Sequence, residues 1–457
     1  MEIIPRDQTT VWFDIDHLIR HQGYPRGIPR VVSCILKELL ENHPQQVKLC
    51  QFRVKTGHFH EVPQEFISEF LARSQKASSG HKKKATTELA AQSKSLLQKK
   101  LWDLSVHLWE FGWHLKGLFR EAWKFTKVLI WLILQAFRKI SWQTSGSRAV
   151  FQRGDYLVFT GGMDELIKFA EVRTLKQTGV QIAALVHDII PINAPHLCSK
   201  EQSFRFAEWF DELTRQTDLL ITTSNHNLRE FAHYFEKQKL APPRMAQFRL
   251  GDDFSQSPQA IFPEGLTQEM PAGFVLMVSA IEARKNQQVL YQTWQQLVEQ
   301  YGEKTPHLVL VGGVGYLGKE LAYQIENNPA TKPFVTQLVG ISDSELTWLY
   351  KNCRFTVFPT LYEGWGLPVA ESLAFGKYCI ASNQSSVPEV GGKVVDYHHP
   401  LDTAELIRLI ELAMDNEYLA GKSATIKEQH QLLTWKESAE QFWRAFSLNQ
   451  GKMNAKV

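Results

Sequence analysis

Short apolar strands and segments with helical spacing alternate twice along this 457-residue sequence, once in each half. In the first half, strands are predicted at residues 155–160, 181–186 and 219–223, and a helical segment follows each one. The pattern restarts in the second half with an apolar strand at residues 274–278. Such alternation is typical of a parallel sheet covered by helices on both faces, with its ligand site at the carboxyl ends of the strands. The sequence therefore predicts two α/β domains.

The domain boundary is predicted in residues 252–273, which are rich in Pro, Gly and polar side chains, as linkers are. We expect an N-terminal domain at residues 1–255, a C-terminal domain at residues 256–432 and a last helix at residues 433–447. A composition of 44% hydrophobic and 22% charged residues is ordinary for globular proteins and is compatible with two cores.

Cysteine usage and the N-terminus predict a cytoplasmic protein. The five cysteines have neither metal-type nor redox-type spacing, so we interpret them as reduced thiols. The first ten residues are polar and resemble no signal peptide, and no apolar run reaches the ~20 residues that a membrane span requires.

An inserted segment is predicted at residues 74–145 of the N-terminal domain, first flexible and then helical. Residues 74–100 are polar and rich in Lys, which is typical of a flexible stretch. Residues 101–142 carry six of the chain's thirteen tryptophans and an apolar stripe with helical spacing. Basic residues outnumber acidic ones by 13 to 4 between positions 76 and 142, although the net charge of the whole chain is only +3.

Three interpretations of the basic, aromatic helix at 101–142 remain open. It has the composition of an interfacial membrane helix, which would place the protein at the inner face of the cell membrane. The same stripe suits packing on the N-terminal domain or pairing with a second subunit. Nucleic acid is not an expected partner, because no recognisable RNA- or DNA-binding module accompanies the basic residues.

The stretch FPTLYEGWGLPVAE, residues 358–371, carries two carboxylates, Glu363 and Glu371, eight positions apart. An apolar strand precedes it and a helical segment follows, so Gly364 and Gly366 lie in a strand-to-helix turn. Glycines there allow a ligand close to the main chain, and the first helix amides are free donors. Carboxylates can accept hydrogen bonds from sugar hydroxyls. The alternative is two acids that merely favour a surface turn and a helix N-terminus.

Arg284 and Lys285 lie at another strand-to-helix junction, directly after the strand at 274–278. Such a pair can hold a diphosphate, Arg through its planar fork and Lys as a point charge. The alternative is a solvated basic pair.

The string GVGYLG at residues 313–318 has the form G-x-G-x-x-G between a strand and a helix. This pattern supports a competing function, an NAD(P)- or flavin-dependent oxidoreductase. The acidic residue expected about 20 positions later at the end of a second strand is missing, and the motif lies in the middle of a domain.

EGWGLPVAE at 363–371 resembles the E-x7-E signature of retaining glycosyltransferases of the GT-B fold, in particular the nucleotide-sugar-dependent family four. IEARKN at 281–286 resembles the family's E-x-R-K-N element, whose two cations hold the nucleotide diphosphate. VHDIIP at 186–191 resembles its V-H-D-x-x-P segment, which borders the reaction centre. Weaker similarities involve three segments. Residues 23–31 resemble the family's N-terminal glycine loop, and residues 340–350 resemble the segment whose backbone lies against the nucleobase. Residues 435–446 resemble the C-terminal helix that crosses back to the N-terminal domain.

The resemblance implies a role for each matching residue. Catalytic roles fall to His187 beside the reacting sugar, to Glu363, which holds donor hydroxyls, and to the cations Arg284 and Lys285. Glu371 would take the ribose, and Arg30 and Asp188 would lie on the acceptor side. The other expected donor-binding residues are Gly27, Ser224, Ile341, Gly364, Trp365, Gly366, Leu367 and Pro368.

The resemblance thus implies an α/β protein of the GT-B fold, two Rossmann-like domains facing each other across a cleft. The expected reaction is retaining transfer of a sugar from a nucleotide diphosphate sugar to a hydroxyl of a lipid-linked glycan or cell-surface polysaccharide. We expect neither a cofactor nor a metal ion, because Arg284, Lys285 and helix N-terminal amides can offset the charge of the departing diphosphate. A non-catalytic nucleotide-sugar-binding scaffold is the remaining alternative.

Overall fold

The structure is a computed structural model that describes residues 9–21, 27–78, 146–161, 166–253, 260–267 and 269–447. The predicted insertion at 74–145 lies outside these ranges from residue 79 onward, and so does the basic, aromatic segment at 101–142. Within the described ranges, no helix combines the length and the apolar character needed to cross a membrane.

The first domain is built on a sheet whose described strands follow the order β3-β2-β1-β4-β5-β6-β7. All neighbours are parallel except β2 and β3, which form an antiparallel hairpin at the edge. The strands are β1 Val11–Asp14, β2 Val47–Arg53, β3 His58–Val62, β4 Tyr156–Phe159, β5 Gln181–Leu185, β6 Leu219–Thr222 and β7 Arg244–Gln247.

Helices cover both faces of this sheet. The described helices are α1 Asp16–Arg20, α2 Ile28–Asn42, α3 Glu65–Ser78, α4 Lys168–Gln177, α5 Ile190–Asn193, α6 Lys200–Gln216 and α7 Asn225–Gln238. The central strands β1, β4 and β6 are buried along their whole length, as expected for strands covered on both faces. Helix α2 begins at Ile28 and has Pro29 in its first turn, a position that suits proline because the first amides of a helix have no partner within the helix. Helix α3 ends at Ser78, so the first five residues of the predicted insertion are helical.

The second domain repeats the architecture with a fully parallel sheet, whose described strands follow the order β10-β9-β8-β11-β12-β13. Its strands are β8 Phe274–Val278, β9 His307–Val311, β10 Val335–Leu338, β11 Thr356–Phe358, β12 Cys379–Ser382 and β13 Asp396–His398. Its helices are α8 Gln287–Tyr301, α9 Lys319–Asn327, α10 Asp343–Asn352, α11 Leu367–Ala374, α12 Val387–Gly391, α13 Thr403–Met414 and α14 Asn416–Gln429. Two parallel-sheet domains confirm the predicted fold class.

The C-terminal helix, α15 Trp435–Ser447, packs on the first domain. Phe442 lies against Phe13 of β1, with ring centroids 6.1 Å apart, and Trp443 stacks on His43 at 4.4 Å. Ser438 Oγ donates a hydrogen bond to the carbonyl oxygen of Arg249 at 2.7 Å. The last helix of the chain therefore ties the second domain to the core of the first.

Candidate functional site

A cleft of about 620 Å³ separates the carboxyl ends of the strands of the two domains. Its first-domain wall contains the start of α2 and the residues that follow β5, and its second-domain wall contains the turns after β8, β9 and β11. All but two of the predicted site residues line this cleft. Those that line it are Gly27, Arg30, His187, Asp188, Arg284, Lys285, Glu363, Gly364, Trp365, Gly366, Leu367, Pro368 and Glu371.

Glu363 and the two predicted cations form one cluster on the second-domain wall. Lys285 Nζ lies 2.6 Å from Glu363 Oε1, and Arg284 Nη1 lies 2.8 Å from Glu363 Oε2. Thr360 Oγ1 donates a third hydrogen bond to Oε1 at 2.9 Å. The Glu363 side chain is only 8% exposed, so this is a buried ion triad at the mouth of the strand-to-helix turn.

Burial and charge act in opposite directions on this triad. Burial disfavours ionisation of Glu363, but Arg284 and Lys285 outweigh it and hold the pKa of that carboxyl below its ordinary value. Burial also lowers the pKa of the Lys285 ammonium, an effect that Glu363 opposes. The cleft wall therefore carries two cations around one ionised carboxylate, and a second carboxylate, that of Glu282, lies 3.7 Å from Arg284.

Glu371 lies in the first turns of α11 and contacts both domains. Its Oε2 accepts a hydrogen bond from the Tyr350 hydroxyl at 2.5 Å, within the second domain. Its Oε1 lies 3.3 Å from Nη1 of Arg30, at the start of α2 in the first domain. The residue predicted for the donor and the residue predicted for the acceptor side therefore form an ion pair across the cleft.

The first-domain wall follows β5, where His187 and Asp188 stand. Burial lowers the pKa of His187 to about 4, so its ring is neutral at pH 7. Burial raises the pKa of the Asp188 carboxyl above its ordinary value, although Arg284 opposes this effect. The Nε2 atom of His187 is buried and makes no hydrogen bond within the described part of the chain. A neutral, buried ring nitrogen without a hydrogen-bond partner among the described residues therefore belongs to a side chain of the cleft wall.

His17 of α1 is another buried histidine that sequence reasoning missed, although it does not line the cleft. Its Nδ1 lies 3.3 Å from Thr160 Oγ1, and its buried Nε2 has no hydrogen-bond partner among the described residues. Burial, with a smaller contribution from His187, lowers the pKa of His17 to about 4. No motif surrounds His17 in the sequence, so only the fold reveals it.

Asn227 connects the two walls and was also missed. Its Nδ2 donates to the carbonyl oxygen of His187 at 2.6 Å and to that of Gly364 in the other domain at 2.8 Å. A methyl group at Gly364 would lie 2.9 Å from the carbonyl oxygen of His187, which explains why glycine is needed for this approach. Asn227 lies on α7, three positions after Ser224, and nothing in its local sequence indicates a contact between domains.

Ser224 and Ile341 do not line the cleft. Ser224 is fully buried, and its Oγ caps α7 by accepting a hydrogen bond from the amide of Asn227 at 3.2 Å. Ile341 packs in the core of the second domain, whereas the nearby Asp343 and Leu346 line the cleft.

Two of the three glycines of GVGYLG have a packing role. The turn after β9 crosses the loop after β8 so closely that a methyl group on Gly318 would lie 2.1 Å from the carbonyl oxygen of Ile281. Gly315 likewise meets the side chain of Glu282. The first glycine of the pattern, Gly313, lines the cleft.

Comparison with known proteins shows similarity to glycosyltransferases. Residues 261–431 match the family model of glycosyl transferases group 1. The O-antigen chain mannosyltransferase B of Escherichia coli is 24% identical over 266 residues, which cover 57% of this chain and 69% of the relative. The serotype-specific mannosyltransferase WbdA of Escherichia coli is 26% identical over 239 residues, which cover 50% of this chain and 29% of the relative.

Among solved structures, the sucrose-phosphate synthase of Thermosynechococcus elongatus is similar with a TM-score of 0.48 and 17% identity, over 64% of this chain and 73% of that one. The family match includes Arg284, Lys285, Glu363 and Glu371 within its range. The match of residues 261–431 to this family model, together with the mannosyltransferase relatives, confirms the predicted enzyme class, a glycosyltransferase.

Proposed function

We propose that this protein transfers a hexose, mannose by analogy with its relatives, from a nucleotide diphosphate sugar to a hydroxyl of a surface-polysaccharide glycan, with retention of the anomeric configuration. The observation that carries the proposal is the cluster of Arg284 and Lys285 on Glu363, opposite His187 and Asp188 across the cleft. The donor would lie on the second domain and the acceptor on the first.

In this mechanism the diphosphate leaves as positive charge develops at the anomeric carbon of the donor. Arg284 and Lys285 would stabilise the growing negative charge on the diphosphate. The acceptor hydroxyl would form its bond to the anomeric carbon on the face from which the diphosphate departs, and its proton would pass to a diphosphate oxygen. The bond between the anomeric carbon and the diphosphate oxygen breaks in the same step, and the configuration is retained because the new bond forms on the face that the diphosphate leaves.

Donor orientation would come from the carboxylates. Glu363 is ionised, so its oxygens can accept hydrogen bonds from hydroxyl groups of the donor sugar. Glu371 would release Arg30 and bind the ribose diol instead. His187, neutral at pH 7, would meet the reacting sugar through its buried Nε2 atom. None of these roles calls for a metal ion or a cofactor. The proposal also includes a lipid-linked glycan as the acceptor and attachment of the protein to a membrane surface through residues 101–142.

A thermal-shift and hydrolysis screen with UDP-, GDP-, TDP- and ADP-sugars tests the proposal. We expect one sugar nucleotide to raise the Tm and to be consumed with release of the nucleoside diphosphate. Lys285→Ala should abolish both effects, whereas Lys304→Ala, at an exposed lysine of the same domain, should preserve them. A shift with a nicotinamide nucleotide alone would instead support an oxidoreductase, and binding without any turnover would support a scaffold.

A further inference from the structure

The carboxylate of Glu371, proposed above to bind the ribose of the donor, is already engaged in the structure. Its Oε2 accepts a hydrogen bond from the Tyr350 hydroxyl at 2.5 Å, and its Oε1 accepts one from Nη1 of Arg30 at 3.3 Å. The Glu371 side chain is only 8% exposed. A ribose diol needs an acceptor for each hydroxyl, so it competes with these two donors for one carboxylate.

The two contacts of Glu371 differ in strength. The Tyr350 side chain is fully buried, and its ring stacks on Phe375 with centroids 5.0 Å apart and planes 6° from parallel. The Arg30 side chain is 19% exposed, and its contact with the carboxylate is 0.8 Å longer, at 3.3 Å against 2.5 Å. A longer hydrogen bond from a more exposed group is the weaker one. Arg30 is therefore the partner that a ribose displaces.

The guanidinium of Arg30 has room to move in one direction. On the side of α10, the cavity that Arg30 and Glu371 share has a volume of only about 20 Å³, enough for about one water molecule. On the other side both residues line the cleft of about 620 Å³, together with His187 and Asp188. Separation from Glu371 therefore moves the cation into the cleft, along the wall predicted for the acceptor.

We propose that the Arg30–Glu371 ion pair is an autoinhibitory contact, which lowers the affinity for the donor nucleotide and which the ribose opens by displacing Arg30 into the cleft. The inference rests on the proposed function for the position of the ribose. It makes Arg30 an internal competitor of the donor. The guanidinium then becomes available to an acceptor only after the donor has bound.

This role predicts an affinity change of unusual sign. A cation that simply attracts the diphosphate strengthens nucleotide binding, and its removal weakens that binding. An internal competitor has the opposite effect, because only the fraction of molecules with an open ion pair can bind the ribose. Loss of Arg30 should therefore tighten nucleotide binding.

Isothermal titration of the full-length protein with UDP, GDP and ADP tests the contact. Arg30→Met removes the guanidinium and keeps a long unbranched side chain. Arg205→Met is the matched control, since this arginine of α6 is 59% exposed and lies outside the cleft. We expect Arg30→Met to bind the preferred nucleotide about tenfold more tightly than wild type, the effect of one charge-assisted hydrogen bond. Arg205→Met should bind it as wild type does.

The 2′,3′-dideoxy form of the same nucleotide shows whether the competition concerns the ribose diol. Wild type and Arg30→Met should bind the dideoxynucleotide with equal affinity, because it has no diol to compete with Arg30. In the background of Glu371→Gln, adding Arg30→Met should give no gain in affinity for either nucleotide. Arg30→Gln keeps a polar side chain without the charge and provides a second measurement if Arg30→Met folds poorly.

The outcomes separate this inference from the proposed function. Equal affinity for the ribonucleotide and the dideoxynucleotide in both wild type and Arg30→Met would overturn the ribose role of Glu371 and the inference with it, as would absence of nucleotide binding in every variant. A preference for the ribonucleotide that Arg30→Met and Arg30→Gln leave unchanged or reduce would overturn the inference alone. The titrations need no acceptor, so they decide the matter even if no sugar transfer is observed.

Discussion

Replacing Glu363 by glutamine should destabilise the second domain and at the same time strengthen its affinity for a diphosphate. The carboxylate accepts hydrogen bonds from Lys285, Arg284 and Thr360, at 2.6, 2.8 and 2.9 Å. The amide can accept through its single oxygen, but its NH2 group cannot accept from a cation. Removing one partner of a buried ion pair costs about 3–5 kcal/mol. For a domain of this size that corresponds to a Tm lower by roughly 10 °C.

The same substitution removes the carboxylate that pairs most closely with both cations at the cleft, although Glu282 remains 3.7 Å from Arg284. Isothermal titration with GDP and UDP should therefore show about tenfold tighter binding in Glu363→Gln, since the diphosphate no longer competes with a carboxylate. Sugar transfer should nevertheless be largely lost, because the donor hydroxyls lose their acceptor. Opposite effects on diphosphate affinity and on turnover distinguish this account from simple unfolding.

Glu405→Gln is the control for this prediction. Glu405 also pairs with an arginine, Arg408 at 2.8 Å, but the pair is exposed on α13 and should contribute little to stability. A wild-type Tm in Glu363→Gln, or diphosphate binding that is unchanged or weaker, would refute the reasoning about the triad.

Three further predictions concern Asn227, the titration of His307 and the effect of EDTA on transfer. Asn227→Ala removes the hydrogen bonds that one side chain donates to the carbonyl oxygens of His187 and Gly364, and Gly364 keeps only the longer bond from Thr223 at 3.3 Å among the described contacts. The value of kcat/KM for transfer should fall roughly tenfold, and an unchanged value would contradict the link. Burial lowers the pKa of His307 to about 4, below the ~6.5 of an unfolded histidine, so the unfolded state binds more protons between these pH values. The free energy of unfolding should thus fall as the pH drops from 7 to 5, by about 2 kcal/mol for this residue, and urea titrations of His307→Gln should lack that part of the loss. Transfer should persist in EDTA, because Arg284 and Lys285 supply the positive charge; activity lost in EDTA and restored by Mg²⁺ would contradict this role.

The elements that the sequence predicted well are those whose signal is local. Strand–helix alternation identifies both sheets, because a buried parallel strand has an apolar run and its helix has a matching stripe. The turns that contain Arg284 and Glu363 follow neighbouring strands β8 and β11, and the carboxyl ends of parallel strands share one edge of a sheet. Their meeting in one cluster therefore follows from topology.

The contacts that sequence reasoning missed depend on how the domains dock. Asn227 belongs to an ordinary helix start, and only the approach of Gly364 gives it a second partner. Glu389 likewise accepts hydrogen bonds from the amides of Asn225 and His226 in the other domain, at 2.8 and 2.6 Å. Ser224 is an example of a residue predicted for the site that has a local structural role instead. A serine directly before a helix favours capping, and Ser224 caps α7.

The most direct test of the central claim is the fate of the anomeric centre in the product. The full-length protein would be incubated with the sugar nucleotide identified by the screen and a glycan acceptor, and the new linkage followed by proton NMR. We predict release of the nucleoside diphosphate together with a glycosidic bond of the donor's own configuration, and loss of both signals in Lys285→Ala. A product of inverted configuration would contradict the retaining mechanism, and wild-type transfer by Lys285→Ala would contradict the assignment of the site.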